Sequence, residues 1–210
     1  MTALICPTVT AYHPHEYRLQ LDRVELLSPR LHIDVMDGMF ASPRSVGLHE
    51  LHWPEAEMID LHVMYQHPAR YLASICKLKP YLAILHAEAD GDFFAMADKL
   101  HGHGIRVGVA LLSPTPASVI IPALAVIDHV LIFSGNLGHQ GGSVADLGLL
   151  AKAEALREHK PGLEIGWDGG VNASNVRLLA AAGVDVINVG GFIMHAVNPS
   201  EAYATLKALV

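Results

Sequence analysis

The sequence predicts an α/β protein, a single (β/α)8 barrel or TIM barrel domain spanning residues 1–210. Short runs of apolar residues alternate eight times with stretches in which apolar residues have helical spacing. Several short runs, such as VLIF and VDVINV, are almost continuously apolar, as parallel strands buried on both faces are. No linker interrupts the eight repeats, which favours one barrel over the alternative of a doubly wound open sheet.

The eight predicted strands coincide with the short apolar runs. They span Ala3–Val9, Arg30–Asp37, Glu57–Met64, Tyr81–Ala89, Arg106–Leu112, His129–Ser134, Leu163–Asp168 and Val184–Val189. In barrels of this kind the active site lies at the carboxyl ends of the strands. The residues at those ends therefore carry the functional prediction.

The predicted helices lie between these strands. They span Pro68–Leu78, Asp92–Leu100, Pro116–Val126, Val144–Glu158, Ala173–Ala182 and Pro199–Leu209. Asn198 and Pro199 are start signals for the last helix, and Gly183 ends the helix before the eighth strand. The segment Val46–Leu51 after the second strand predicts only about one turn of helix.

Composition and charge narrow the possible functions. Apolar residues make up 51% of the chain and charged residues 17%, which excludes a disordered chain. The formal charge is −7 with no basic patch, so no nucleic-acid partner is expected. The N-terminal segment does not resemble a signal peptide, and no apolar run is long enough for a membrane span. Two cysteines, Cys6 and Cys76, cannot form a disulfide framework, so we expect free thiols and a cytoplasmic location.

The predicted second strand carries polar side chains on one face. His32, Asp34 and Met36 alternate with apolar residues, so all three would point into the barrel. A buried carboxylate beside a buried imidazole is unfavourable unless something pairs them, and a metal cation would do so. A hydrogen bond between His32 and Asp34 is the alternative that this strand alone leaves open.

The predicted third strand repeats the pattern with His62 and Met64. Adjacent strands would bring His32, Asp34 and His62 close together. Two histidines and a carboxylate suit a divalent first-row metal such as zinc or ferrous iron. The sequence thus predicts one divalent ion, Zn²⁺ or Fe²⁺ by preference, with Mn²⁺ or Co²⁺ as alternatives.

Glycines follow three consecutive strand ends. They are Gly135, Gly138, Gly141 and Gly142 after the sixth strand, Gly169 and Gly170 after the seventh, and Gly190 and Gly191 after the eighth. Glycines let backbone amides approach a ligand closely, and barrels often bind phosphate in the loops after the last two strands. Each cluster alone is also typical of a tight turn, but together they predict an anion pocket.

Three motifs, in this order along the chain, resemble those of the ribulose-phosphate 3-epimerases. They are His-x-Asp-Val-Met-Asp-Gly at 32–38, Leu-His-Val-Met at 61–64 and Asp-Gly-Gly-Val at 168–171. The resemblance covers nearly the whole chain and includes the segments Cys6–Thr8, His86–Ala89 and Gly108–Pro116. Other phosphate-binding barrels share the glycines but not this set of His and Asp residues.

The resemblance implies a metal-dependent barrel enzyme that inverts a carbon next to the ketone of a sugar phosphate, by default C3 of D-ribulose 5-phosphate to give D-xylulose 5-phosphate. It implies metal ligands at His32, Asp34, His62 and Asp168, with Asp34 and Asp168 as the catalytic acid and base. It implies substrate contacts from Thr8, Met36, Met64, Gly138, Gly141, Gly169, Gly170, Gly190 and Gly191. The high apolar fraction also leaves room for a self-association surface, so a homo-oligomer is expected.

The sequence departs from the family pattern where the substrate would bind. The loop after the sixth strand, Asn136–Gly142, lacks the family's proline and aromatic residue, and Phe133 replaces its third methionine. Thr8 and Thr10 replace a serine and a leucine, and Gly191 replaces a serine. These departures concern substrate identity and phosphate binding more than the type of reaction.

Other functions remain open from the sequence alone. A hexulose 6-phosphate or another ketose is an alternative substrate, and a non-catalytic metal-binding barrel is an alternative role. A sugar-phosphate decarboxylase or aldolase is a third class, although the strand ends carry no lysine for a Schiff base. His139 is a candidate substrate contact, and the sequence does not place Arg44, Tyr65 or His195. Five other histidines are expected to be solvated: His13, His15, His101, His103 and His159.

Overall fold

A computed structural model of the chain describes residues 3–54 and 58–210. Its strands are β1 (Leu4–Thr10), β2 (Arg30–Met36), β3 (Met58–Met64), β4 (Leu82–His86), β5 (Arg106–Leu111), β6 (His129–Phe133), β7 (Glu164–Asp168) and β8 (Val186–Val189). Each strand pairs in parallel with the next, and β8 pairs with β1 to close the barrel. The predicted (β/α)8 fold class is confirmed, and the open sheet is excluded. Glu57, the predicted start of the third strand, lies outside the described residues.

The α-helices lie between the strands and after the last one. They are α1 (Pro14–Val24), α2 (Leu72–Leu78), α3 (Phe93–His101), α4 (Leu150–His159), α5 (Val176–Ala181), α6 (Gly191–Met194) and α7 (Pro199–Lys207). The 3₁₀ segments are Leu48–Glu50, Pro68–Tyr71, Ala117–Val126 and Leu147–Leu149. Across the described ranges, no helix is both long and apolar enough to cross a membrane.

Alternate side chains of a strand lie on opposite faces, one packed against the helices and the other inside the barrel. On β2, Leu31, Ile33 and Val35 are fully buried in the main core cluster, which the helices share. Residues of the opposite face point into the barrel, as the alternation predicted. A separate apolar cluster of Leu82, Ile84, Ala110 and Leu131 fills part of that interior. Polar residues of this face, among them His32 and Asp34, are also buried inside the barrel.

An ionic network closes the amino end of the barrel. Arg30, the first residue of β2, donates from Nε to both Asp60 carboxylate oxygens at 2.8 Å. Its Nη1 lies 2.9 Å from Oε2 of Glu164, the first residue of β7. Glu164 also contacts Arg106 at 3.2 Å and His129 Nδ1 at 3.1 Å. The buried charges at this end are thus paired with one another.

Two predicted strands are shorter than expected by two or more residues, whereas the other described strand ends agree with the prediction to within one residue. The fourth ends at His86 rather than Ala89, because the Ala89 N–H turns back to donate to the His86 carbonyl at 3.2 Å. The eighth begins at Val186 rather than Val184, because the Val184 N–H donates to Leu179 O at the end of α5. The first correction matters for the site, because it places residues 87–89 in a turn.

The predicted helix over 116–126 is instead a 3₁₀ helix, Ala117–Val126. Pro122 lies inside this segment. Proline lacks an N–H, and its ring clashes with the carbonyl four residues earlier in an α-helix. The prediction was therefore right about the position of the helix and wrong about its type.

Two further predicted helices begin later than expected. Asp146 accepts a hydrogen bond from the Gly148 N–H, so the segment predicted from Val144 becomes helical only after Asp146. Asn172 accepts hydrogen bonds from Ser174 in the same way, and α5 begins at Val176 rather than Ala173. Short polar side chains that bond to nearby backbone favour turns and caps over helix interiors.

No helix was predicted between the first two strands, yet α1 occupies 11 residues there. Its buried residues Tyr17, Leu21 and Val24 have helical spacing, and Pro14 lies in its first turn. Both signals were present in the sequence. The short α6 was also not predicted. By contrast, Asn198 caps α7 as expected, accepting from the Ser200 N–H at 3.1 Å.

Candidate active site and metal centre

Two histidines and two aspartates converge inside the barrel. His32 and Asp34 lie on β2, His62 lies on β3, and Asp168 is the last residue of β7. One ligand atom from each of the four lies within 4.8 Å of the others. The structure thus brings together the four side chains that the resemblance implied as metal ligands.

Asp34 is at the centre of this cluster. Strand register places it opposite His62 on β3 and opposite Thr10 on β1. Its Oδ1 lies 2.9 Å from His62 Nδ1 and 3.2 Å from His32 Nε2. Its Oδ2 accepts a 2.6 Å hydrogen bond from the Thr10 hydroxyl. The carboxylate is therefore fixed in orientation by three neighbours.

The donor set fits a divalent metal ion. The His32 ring is fully buried, and within residues 3–54 and 58–210 neither of its nitrogens has a hydrogen-bond partner, since the geometry of the 3.2 Å contact to Asp34 is not that of a hydrogen bond. An unsatisfied buried polar group costs about 1–3 kcal/mol, so such a group in a cluster of ligands indicates a missing partner. Two imidazoles and two carboxylates suit zinc and other divalent first-row metals.

The two aspartates have opposite pKa shifts. Burial alone would raise the pKa of Asp34, but the imidazoles of His32 and His62 outweigh it and hold that pKa well below its usual range. Burial and the negative charge of Asp34 raise the pKa of Asp168 to about 7. Near neutral pH the site therefore contains one ionised carboxylate and one carboxyl that can exchange its proton. When their surroundings move the pKa values of two carboxyls apart, one can act as the base while the other carries a proton.

A cavity of about 230 Å³ opens above this cluster at the carboxyl ends of the strands. Asp34 and Asp168 form part of its wall. The predicted substrate contacts also line it, namely Thr8, Met36, Met64, Gly138, Gly141, Gly169, Gly170, Gly190 and Gly191. Phe133, at the position where the resemblance implied a third methionine, lines it as well, with its ring centroid 5.7 Å from that of His62.

Two glycines in this wall are required by the backbone. Gly169 has φ +114°, and a Cβ there would overlap the backbone of Gly135. Gly138 has φ +83°, and a Cβ there would overlap the carbonyl of Ser42. These positions allow three loops to approach each other closely at the mouth of the cavity.

The altered loop after β6 is held against β1. Tyr12 donates from its hydroxyl to the Gly138 carbonyl at 2.8 Å. Gln140 donates from Nε2 to the Thr8 carbonyl, also at 2.8 Å. Neither anchor could be predicted from the sequence, because contacts between residues more than a hundred positions apart leave no local signal.

The structure also locates the residues that the sequence did not place. His139, the candidate contact, and His195 both line the cavity. Arg44 and Tyr65 do not; they line a separate groove with Tyr71. The five histidines expected to be solvated are all exposed: His13, His15, His101, His103 and His159. Cys6 and Cys76 are both free and buried.

His86 contacts the cluster on the side of the His62 ring opposite Asp34, and Glu88 in turn contacts His86. His86 Nε2 lies 2.9 Å from His62 Nε2, and His86 Nδ1 lies 3.2 Å from Glu88 Oε2. The motif containing both residues was part of the resemblance, but no role was predicted for either of them. Glu88 comes close to His86 because β4 ends at His86 and the chain turns there.

Comparison with known proteins identifies the family. A family model described as the ribulose-phosphate 3 epimerase family matches residues 4–194. The chain belongs to the ribulose-phosphate 3 epimerase family. Membership makes it an enzyme of the epimerase class, which decides against the decarboxylase, aldolase and non-catalytic alternatives.

Relatives of this epimerase family member support the assignment. The ribulose-phosphate 3-epimerase of Schizosaccharomyces pombe is 32% identical over 183 residues, which cover 84% of this chain and 80% of that protein. The ribulose-phosphate 3-epimerase of Mycobacterium leprae is 30% identical over 184 residues, which cover 84% and 82%. The solved structure of KGPDC from Streptococcus mutans covers 100% of this chain and 97% of its own, with a TM-score of 0.77 and 13% identity. That likeness shows the barrel fold alone.

Proposed function

We propose that this protein inverts C3 of a ketose phosphate, with D-ribulose 5-phosphate as the substrate and D-xylulose 5-phosphate as the product. The observation that carries the proposal is the placement of Asp34 and Asp168 beside two buried histidines, beneath a cavity at the carboxyl ends of the strands. Family membership and the epimerase relatives support the same reaction.

In this proposal His32, Asp34, His62 and Asp168 hold one divalent metal ion, by preference Zn²⁺ or Fe²⁺. The ion would stabilise negative charge on the ketone oxygen as the proton leaves the neighbouring carbon. The protein fixes the ligands in place: Thr10 orients Asp34, and the strand register holds Asp34 opposite His62.

Asp34 and Asp168 act as the acid/base pair. Inversion requires one group to remove the C3 proton from one face and a second group to deliver a proton to the other. Asp34 comes from β2 and Asp168 from β7, so the two carboxyls approach the cavity from different strands. Their opposite pKa shifts favour a pair in which one group is the base while the other carries the proton.

Two methionines form an apolar wall beside the reacting carbon. Met36 and Met64 are buried and pack with Ala41 next to the cavity. Thioether side chains are polarizable and carry no exchangeable proton. Such a wall excludes water without competing for the proton that the aspartates transfer.

The glycine loops bind the phosphate group in this proposal. Among the described residues around the cavity there is no lysine or arginine, so anion recognition depends on backbone amides and neutral or imidazole side chains. Gly169, Gly170, Gly190 and Gly191 lie where barrels commonly supply such amides. His139 and His195 also line the cavity and are available to contact the phosphate.

The test is turnover of a panel of ketose phosphates by chelator-treated protein to which single divalent metals are returned. We expect epimerisation of D-ribulose 5-phosphate that depends on added metal. If a hexulose 6-phosphate is turned over at higher kcat/KM, the reaction type stands and the substrate assignment is replaced. Absence of epimerisation of every ketose phosphate, with every metal, would contradict the proposal.

A further inference from the structure

Four side chains in succession form a chain of polar contacts that begins at Asp34 and ends at Glu88. Asp34 Oδ1 lies 2.9 Å from His62 Nδ1, and His62 Nε2 lies 2.9 Å from His86 Nε2. His86 Nδ1 then lies 3.2 Å from Glu88 Oε2. The two imidazoles are fully buried, so water does not compete for their nitrogens.

The contact between the two imidazoles is made edge to edge. The ring centroids are 5.0 Å apart and the planes differ by 27°, while the two Nε2 atoms are 2.9 Å apart. The nitrogens therefore lie between the rings, so that an N–H on one can point at the lone pair of the other. Phe40 packs on His86 with a centroid distance of 4.6 Å and Phe133 with 6.0 Å, which holds the ring in this orientation.

Glu88 fixes the direction of hydrogen-bond donation along this chain of polar contacts. Its Oε1 accepts a 3.0 Å hydrogen bond from the Leu112 N–H, and its Oε2 faces His86. Burial would raise the pKa of Glu88, but hydrogen bonds from His86, Thr115 and the Leu112 backbone lower it to about 2. An ionised carboxylate only accepts hydrogen bonds, so His86 Nδ1 must carry a proton.

The proton on His86 Nδ1 determines where the ring proton of His62 lies. A neutral His86 protonated on Nδ1 has a lone pair on Nε2 and accepts a hydrogen bond from the His62 Nε2–H. A neutral His62 protonated on Nε2 has its lone pair on Nδ1, the atom that faces Asp34. Each of the three contacts along this chain needs a proton or a metal cation between its two atoms. The two neutral imidazoles supply only two protons. The Asp34–His62 contact then needs one further cation, and a metal ion bound to His62 Nδ1 and Asp34 would supply it.

We propose that Glu88 and His86 are positioning residues that hold His62 in the tautomer whose Nδ1 binds the metal ion. This inference rests on the proposed function, since it assumes that His62 is a metal ligand. Neither residue lines the cavity, so both act through His62 rather than on the substrate. Partners of this kind fix ring orientation and increase metal affinity.

The substitution Glu88→Gln tests the direction of hydrogen-bond donation, because the glutamine side chain has almost the same shape as glutamate. The Leu112 N–H holds the amide oxygen in the position of Oε1, so the amide NH₂ faces His86 Nδ1. His86 then carries its proton on Nε2 and donates to His62 Nε2, which moves the His62 proton to Nδ1. A proton would then occupy the side of the ring that binds the metal.

The readouts are Zn²⁺ affinity, measured by competition with a chelator, and the ¹⁵N shifts of the His62 ring. We expect Glu88→Gln to bind Zn²⁺ about 10–100-fold more weakly than wild type, because that is the usual effect of losing such a partner. We expect metal-free Glu88→Gln to show His62 protonated on Nδ1, and the Zn²⁺-bound wild type to show it protonated on Nε2.

The matched control is Asp128→Asn. Asp128 also contacts a histidine, with its Oδ2 2.9 Å from His101 Nε2, and also accepts from a backbone N–H, that of Val107 at 2.8 Å. It lies just before β6, at the amino end of the barrel. Because this substitution removes the same charge away from the site, Zn²⁺ affinity should not change.

Zn²⁺ affinity of Glu88→Gln within twofold of wild type, with His62 protonated on Nε2, would overturn the inference while leaving the metal site in place. A wild type that binds no Zn²⁺ would overturn both the inference and the proposed function. If Glu88→Gln does not fold, His86→Phe replaces it, since a phenyl ring can pack between Phe40 and Phe133. Wild-type Zn²⁺ affinity in that variant would also overturn the inference.

Discussion

His62 Nδ1 lies 2.9 Å from Asp34 Oδ1, across the pairing of β3 with β2. Backbone pairing of the two strands places both side chains on the interior face at the same height in the barrel. The contact joins the candidate acid/base residue Asp34 to the polar chain that ends at Glu88.

Loss of either catalytic carboxyl should abolish most epimerisation. We expect Asp34→Asn and Asp168→Asn each to lower kcat by at least about 10²–10⁴-fold, the usual contribution of one general acid or base. Circular dichroism should show an intact fold in both. If Asp168→Asn retained most of its activity, inversion by two aspartates would be wrong.

Asp168 should make the metal-free protein less stable as pH rises. Its pKa is raised to about 7 in the folded protein, so the native state binds a proton that the unfolded chain releases near its ordinary, lower pKa. The stabilising contribution of that proton is complete below about pH 4 and is lost as the pH rises towards 7. The free energy of unfolding of Asp168→Asn minus that of wild type, both measured with chelator present, should therefore be greater at pH 8 than at pH 5. A relative stability that is independent of pH would contradict the raised pKa.

The ionic network at the amino end should be sensitive to loss of one partner. Arg30→Ala leaves Asp60, which has no exposed surface, as an unpaired buried charge. We expect it to lower the free energy of unfolding by about 3–5 kcal/mol, as is usual when one member of a buried pair is removed. Denaturant titration measures this.

The control for that prediction is Arg157→Ala. Arg157 pairs with Asp185 at 2.6 Å, but the two side chains are 31% and 30% exposed. Such a pair contributes at most about 1 kcal/mol. An equal loss of stability in Arg157→Ala and Arg30→Ala would show that the network at the amino end has no special role.

The glycine loops should make the enzyme sensitive to anions. We expect inorganic phosphate and sulfate to inhibit competitively, because they would occupy the position of the substrate phosphate beside Gly169, Gly170, Gly190 and Gly191. Substitution of His139 or His195 by alanine should raise KM more than it lowers kcat. Equal turnover of free and phosphorylated ketoses, without anion inhibition, would show that the cavity does not recognise phosphate.

Much of this architecture could be predicted from the sequence because the relevant signals are local. Alternation on one strand placed His32, Asp34 and Met36 on the same face, and glycines after strands marked the loops of the cavity. Helix α1 was also readable, from the spacing of its buried residues, and was overlooked.

The features that could not be predicted depend on contacts between distant segments. Glu88 meets His86 only because the fourth strand ends early and the chain turns, whereas a longer predicted strand would have carried it away. Tyr12 reaches Gly138 across 126 positions. Periodicity and local turn chemistry contain no information about such pairs.

The most direct test of the central claim is the fate of the C3 hydrogen. The protein should be incubated in deuterium oxide with D-ribulose 5-phosphate, after chelator treatment and return of Zn²⁺ or Fe²⁺, and the product examined by NMR. Proton removal by one aspartate and return by the other predicts D-xylulose 5-phosphate carrying deuterium at C3, formed only with added metal and not by Asp168→Asn. Product that retains the original hydrogen at C3, or that forms equally in Asp168→Asn, would contradict the account.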